Sequence, residues 1–115
     1  MVKVNESERE YRFGDSGPKY LRKGPFLSTG VVVFNPGQDF QNHYHVIMEE
    51  SFFILEGELD FYINDELVKC GPGDLITAES GETHYIINNS KTTAKAVFML
   101  APYQIADKIV VEDNK

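Results

Sequence analysis

The residues of this chain whose types and spacing could do chemistry are its three histidines, His43, His45 and His84, together with the carboxylate Glu50. His43 and His45 are separated only by Tyr44. Side chains at i and i+2 of a β-strand point the same way, so a strand here presents both imidazoles to one face and turns Tyr44 from it. Two imidazoles side by side suit chelation of a transition-metal ion. Glu50 would be a third ligand, folded back by a short turn through Val46-Ile47-Met48-Glu49, and His84 a fourth, at the entry of a later strand. An isolated His-x-His pair is by default solvated or structurally hydrogen-bonded. Its combination with Glu50 and the one remaining histidine turns the reading toward a metal site. Glu49 is the competing carboxylate; neighbours on a strand face opposite ways, and Glu49 is read as exposed.

The elements that must position these groups are β-strands. Short runs rich in β-branched and aromatic residues, broken by Gly, Pro, Asn and Asp, place strands at 29–35, 41–46, 51–55, 58–64, 67–70, 74–78, 84–88 and 94–100. Asn64-Asp65-Glu66 supplies one tight turn and Gly71-Pro72-Gly73-Asp74 another. Val31 to Phe34 and Ser51 to Leu55 are apolar on both faces, which predicts burial in a barrel or sandwich on one side and against another sheet or subunit on the other. A homodimer is the expectation. No sustained 3.6-residue period appears, so any helix is a short turn, expected around Ile105 to Lys108. Lys19 to Lys23, flanked by Pro18 and Pro25, reads as a solvated loop, and the acidic stretches Glu6 to Glu10 and Glu112 to Asp113 read as solvated termini.

Composition agrees with a small globular protein. With 115 residues, 42% hydrophobic and 25% charged, there is room for one domain over 1–115. Its core is expected at about 27–103, between polar extensions. The net charge of −7 and the lack of a long basic cluster argue against nucleic acid as a partner. The longest apolar run, Ala96 to Ala101, is far shorter than the roughly 20 residues of a membrane-spanning helix, so no membrane partner is expected. A polar start and a single cysteine, Cys70, fit a cytoplasmic protein with a packed free thiol beside a turn.

The spacing Gly37-x5-His43-x-His45-x4-Glu50-x6-Gly57 resembles the first motif of the cupin superfamily at all its fixed positions. Gly73, Gly81, His84 and Asn88 fall at the spacing of the second motif, with Glu79 where the family has a proline. The resemblance implies an all-β fold, a double-stranded β-helix or jelly-roll barrel. It also implies one divalent transition metal (Fe, Mn, Ni, Co or Zn) held by His43, His45, Glu50 and His84, and the gap to Gly57 selects Glu50 over Glu49. Phe52 and Ile54, on the strand face of Glu50, should lie beside the metal, while Asn88 should tie down a neighbouring loop.

Such an ion keeps positions open for substrate oxygens. Two function classes follow. One is a metal-dependent enzyme on a small oxygenated metabolite, either a sugar or keto-acid isomerase or epimerase, or a dioxygenase; the other is a non-catalytic barrel that binds or senses a small ligand. For isomerisation the sequence offers Glu58, Tyr62 and Tyr103 as unranked candidates for the general base.

Overall fold

The computed structural model describes residues 1–112, so Asp113 lies outside the described residues. Ten strands follow a short 3-10 turn at Glu6–Glu8: β1 (Gly17–Lys23), β2 (Ser28–Phe34), β3 (Asp39–His45), β4 (Glu49–Glu56), β5 (Leu59–Ile63), β6 (Glu66–Cys70), β7 (Leu75–Ala78), β8 (His84–Ile87), β9 (Ala94–Ala101) and β10 (Lys108–Val110). They form two five-stranded antiparallel sheets, ordered β1-β2-β9-β4-β7 and β10-β3-β8-β5-β6. This is the expected jelly roll, with eight of the strands within two residues of the sequence reading.

Alternation fixes which residues face inward. Along β9, Ala94, Ala96, Phe98 and Leu100 are buried and the residues between them are partly exposed. They join Val32, Phe34, Phe52, Ile54, Leu59, Phe61 and Ile86 in one core between the sheets. Gly57 ends β4 with φ +76°, and a Cβ there would lie 2.6 Å from the Thr93 carbonyl oxygen, so only glycine allows the chain to pass so close. The expected Asn64-Asp65 turn is present, with φ of +47° and +69° joining the paired residues Ile63 and Glu66.

Two expectations are corrected. Residues 17–23 form the edge strand β1 and not a solvated loop. Prolines and basic side chains are what an edge strand tolerates, because one side of its ladder needs no donor and charge deters further pairing. Within β1, Lys19 is buried. Its Nζ lies 4.0 Å from the Tyr11 ring centroid and donates to the Glu6 carbonyl at 3.0 Å. The expected helix near 105–108 is instead a turn, with Ala106 at φ +57°, that leads into β10. A left-handed residue breaks a helix and here swings the chain back onto β3, pairing Lys108 with His45 and Val110 with His43.

In the acidic N-terminal stretch residues 7–10 are exposed as expected, but Glu6 is engaged by the sheet. Glu6 pairs with Lys95 at 3.0 Å and lies 3.9 Å from Lys19, which are the strand neighbours of Val33 and Val31. The segment therefore crosses the outer face of β2, and Val31 and Val33 are buried within a single chain. Phe53 and Leu75, paired on the outer face of β4 and β7, stay exposed. No helix among the described residues is long and apolar enough to cross a membrane.

Candidate metal centre

His43 and His45 lie at the end of β3, Glu50 at the start of β4 and His84 at the start of β8. The expected hairpin is instead a short loop that crosses from β3 in one sheet to β4 in the other, and this loop together with the pairing of His43 with His84 brings them together. All four are buried, and one potential ligand atom from each lies within 4.8 Å of the others. Glu50 Oε1 stands 3.0 Å from His84 Nε2, 3.2 Å from His45 Nε2 and 3.8 Å from His43 Nε2. Two ligands each about 2.1 Å from one ion are about 3.0 Å apart at right angles and further apart at wider angles, so the spacing is that of a shared coordination shell.

The hydrogen bonds of two of the rings point the same way. Nδ1 of His43 faces the Gln41 carbonyl at 2.8 Å and Nδ1 of His84 faces that of Glu82 at 3.2 Å. A carbonyl only accepts, so on each of these two rings Nδ1 donates and Nε2 is turned toward the Glu50 carboxylate. Burial pushes the His43 ring below its usual value despite the nearby carboxylate, which disfavours a second proton. Burial alone would raise Glu50, but the three facing rings outweigh it and hold its carboxyl well below the usual range. Three imidazole nitrogens gathered on one buried carboxylate make a group that could hold a metal ion. The donor set fits a divalent transition metal, with nitrogen and oxygen ligands and no thiolate.

Outside the four, the supporting contacts come from distant parts of the chain. Asp107 accepts the backbone N–H groups of Ile47 (3.1 and 3.0 Å) and Met48 (2.9 Å), in the loop between His45 and Glu50. Gly81 N–H donates to the His45 carbonyl at 2.8 Å, joining the two ligand-bearing segments. Asn64 Oδ1 accepts from Thr83 N–H at 2.9 Å beside His84. Where the family pattern has proline, Glu79 keeps a backbone N–H, and it donates to Glu82 Oε1 at 2.8 Å. A side-chain hydrogen bond thus braces the turn that a proline ring would stiffen. Asn88 ties its loop as expected, donating to the carbonyls of Phe34 (3.0 Å) and Thr92 (2.9 Å) and accepting from Ser90 N–H (2.9 Å) and Oγ (2.7 Å).

A cavity of about 240 Å³ opens beside His45. Tyr20, Lys23, Ser28, Tyr103, Gln104 and Lys108 are among its lining residues. Phe52 and Ile54, expected beside the metal as core filler, are part of the packed core and do not line the cavity. Of the three candidate bases only Tyr103 reaches the cavity. Tyr62 pairs with Tyr85 on the outer face of its sheet, since the alternate residues Phe61 and Ile63 point inward. Glu58 is exposed beyond the far end of β4, about 20 Å of strand from Glu50. Glu49 is exposed as expected, and Cys70 is buried beside its turn with its thiol raised by burial.

Tyr20 was hidden from sequence reasoning by the loop reading of 19–23. Its ring packs edge-on against Phe98 at 5.0 Å, and burial followed by the Glu50 charge pushes its phenol above the ordinary value. Tyr20 is therefore a protonated hydroxyl at the cavity. Asp107 had no local signal either, because its role exists only once β10 folds back on β3.

This barrel, with three imidazoles and one carboxylate gathered at one end, defines a class of small β-barrel proteins. Residues 30–100 match the family model described as Cupin domain, and the chain belongs to that family. Among curated proteins it is similar to the tetracenomycin polyketide synthase protein TcmJ of Streptomyces glaucescens, with 27% identity over 73 residues, 64% of this chain and 49% of that protein. The chain thus spans about half the length of that relative. Among solved structures it resembles a conserved double-stranded β-helix protein from Klebsiella pneumoniae (TM-score 0.82, 20% identity, 98% of this chain and 99% of that one). It also resembles Pac13, a nucleoside dehydratase (TM-score 0.78, 24% identity, 96% and 91% of the two chains). A variant of Pac13 from Streptomyces has been solved with uridine.

Proposed function

We propose that this cupin is a metal-dependent enzyme acting on a small oxygenated metabolite, and that its reaction moves a proton, as in isomerisation or epimerisation of a sugar or keto acid. The observation that carries the metal reading is the convergence of His43, His45 and His84 Nε2 atoms on one Glu50 oxygen. These four residues would hold one divalent ion. When bound, the ion supplies Lewis acidity, polarising a substrate carbonyl and easing loss of a proton from the adjacent carbon.

The chain supplies the rest. The apolar side chains Met48 and Leu100 border the cavity and exclude water from one wall. Tyr20 holds a proton at its Oη that burial keeps in place, and Tyr103 offers a second phenol on the same cavity. These proton-bearing groups favour proton transfer over dioxygenation, which needs none of them. The similarity to a nucleoside dehydratase supports small-metabolite chemistry in general terms.

The test is elemental analysis of the untagged protein purified without chelator, followed by NMR of deuterium uptake from solvent into aldoses and keto acids. About one equivalent of metal per chain is expected, lost in His45→Ala and Glu50→Gln and kept in Glu49→Ala. Protein that neither carries nor takes up metal would leave the alternative of a non-catalytic binding barrel. Oxygen consumption with diols or diketones, without deuterium uptake, would replace isomerisation by dioxygenation.

A further inference from the structure

The proposed reading leaves the substrate's charge open, and the cavity wall bears on it. The chain as a whole is acidic, with net charge −7, yet the charged side chains lining the cavity are Lys23, Lys108 and Asp107. Asp107 is committed to the backbone N–H groups of Ile47 and Met48. Lys19, Lys69 and Lys95 each face a carboxylate within ion-pair distance. Lys23 makes no ion pair among the described residues; its Nζ lies 4.5 Å from the Tyr20 ring centroid at the cavity.

A second and independent feature lies opposite it. Ser28 is the strand partner of Lys23, is 2% exposed, and its Oγ has no hydrogen-bond partner among the described residues. A buried hydroxyl without a partner is costly, and a buried hydroxyl on a cavity wall is a donor waiting for an acceptor. Directly opposed strand residues have Cβ atoms about 5 Å apart, so one small acceptor group can meet both Lys23 and Ser28. Ser28 pairs with Leu100, which pairs with Glu50, so the serine sits two strands, about 10 Å, from the metal-side carboxylate.

We infer that the Lys23–Ser28 pair is an anion subsite that takes the carboxylate of a polyhydroxy acid whose other end reaches the His43, His45, Glu50 and His84 cluster. This rests on the proposed metal-centred reading for the far end of the ligand, but the subsite stands on Lys23 and Ser28 alone. One lysine and one neutral hydroxyl match a carboxylate's single charge and two oxygens better than the double charge of a phosphate monoester. The distance to Glu50, less the side chains at each end, suits a chain of five or six carbons.

Calorimetry with gluconate, sorbitol and sorbitol 1-phosphate tests it, because the three share a carbon skeleton and differ in the group at the same terminal carbon. Wild-type protein is expected to bind gluconate about tenfold more tightly than sorbitol, the worth of one charge-assisted contact. Lys23→Met should bring that ratio close to one, while Lys108→Met, at the other side of the cavity, should keep it. Ser28→Ala should weaken gluconate and leave sorbitol little changed. Equal binding of gluconate and sorbitol by wild-type protein, a ratio that survives Lys23→Met, or tighter binding of the phosphate would overturn the inference. Metal content, measured in parallel, separates the two claims: a metal-free protein that keeps the gluconate preference loses only the metal-centred reading, and a metal-loaded protein without the preference loses only the subsite.

Discussion

Replacing Asp107 by alanine tests whether the ligand cluster is held by a residue remote from it in sequence. The Asp107 carboxylate accepts Ile47 N–H at 3.1 and 3.0 Å and Met48 N–H at 2.9 Å, while the Asp107 carbonyl accepts Val46 N–H at 3.1 Å. All three donors lie in the loop between His45 and Glu50. The substitution removes the two side-chain-bonded contacts and leaves the third. A hydrogen bond to a charged group contributes about 1.5–3 kcal/mol, but the exposed Ile47 can regain water. The expected loss is therefore about 2–3 kcal/mol, nearer one such bond than two.

The same loop sets the spacing of His45 and Glu50, so metal affinity should fall about 10–100-fold, as for other groups that orient ligands. Asp107→Asn keeps an acceptor and should recover part of both. Urea unfolding gives the stability and competition with a chelator gives the affinity. An Asp107→Ala protein within about 0.5 kcal/mol of wild type and with unchanged metal affinity would refute this account of the loop.

The carboxyl also ties the loop to pH. Burial would raise Asp107, but the N–H groups of Met48 and Ile47, with His45 nearby, outweigh it and hold it below its ordinary value. A depressed folded-state value means that its contribution is present above the unfolded value, about pH 3.9, and is lost as pH falls through the lower folded one. The stability difference between wild type and Asp107→Ala should accordingly shrink under those acidic conditions.

Asn88→Ala removes a fully buried amide with four hydrogen bonds and leaves the Phe34 and Thr92 carbonyls without it, so a loss of about 3–5 kcal/mol is expected in urea unfolding. A loss under about 1 kcal/mol would mean that water replaces the amide. Tyr85, raised to about 12 by burial and by its hydrogen bond to Asp39, should join Tyr20 among the phenols that ionise late in an absorbance titration, and Tyr85→Phe should remove one phenol from that late step. Because the folded value is raised, its contribution is intact below the ordinary phenol value of about 10 and is lost as pH rises through the folded one.

Much of the site was legible before any fold was known. His43 and His45 sit on one strand face because the β period is two, and the spacings to Glu50, Gly57 and His84 pick out the remaining partners. Those are local facts of chain geometry joined by a family pattern. The strands of the barrel were legible for the same reason, since buried β-runs carry their own composition.

What only the tertiary structure decided lies at the edges and in the cavity. Lys19 to Lys23 reads as a loop because an edge strand is free of the composition rules of a central one, and that reading concealed Tyr20 and Lys23 in the strand Gly17–Lys23. Ser28 is an ordinary strand serine until its pairing with Lys23 and Leu100 places an unpartnered hydroxyl on a cavity wall. Glu58 and Tyr62 have suitable chemistry, but strand direction and alternation carry one to the far end of the barrel and the other to its outer face. Asp107 holds the ligand loop across 60 residues of sequence, a contact made by β10 returning to β3. Local periodicity sets which side of a strand a residue takes; only chain closure sets what stands opposite it.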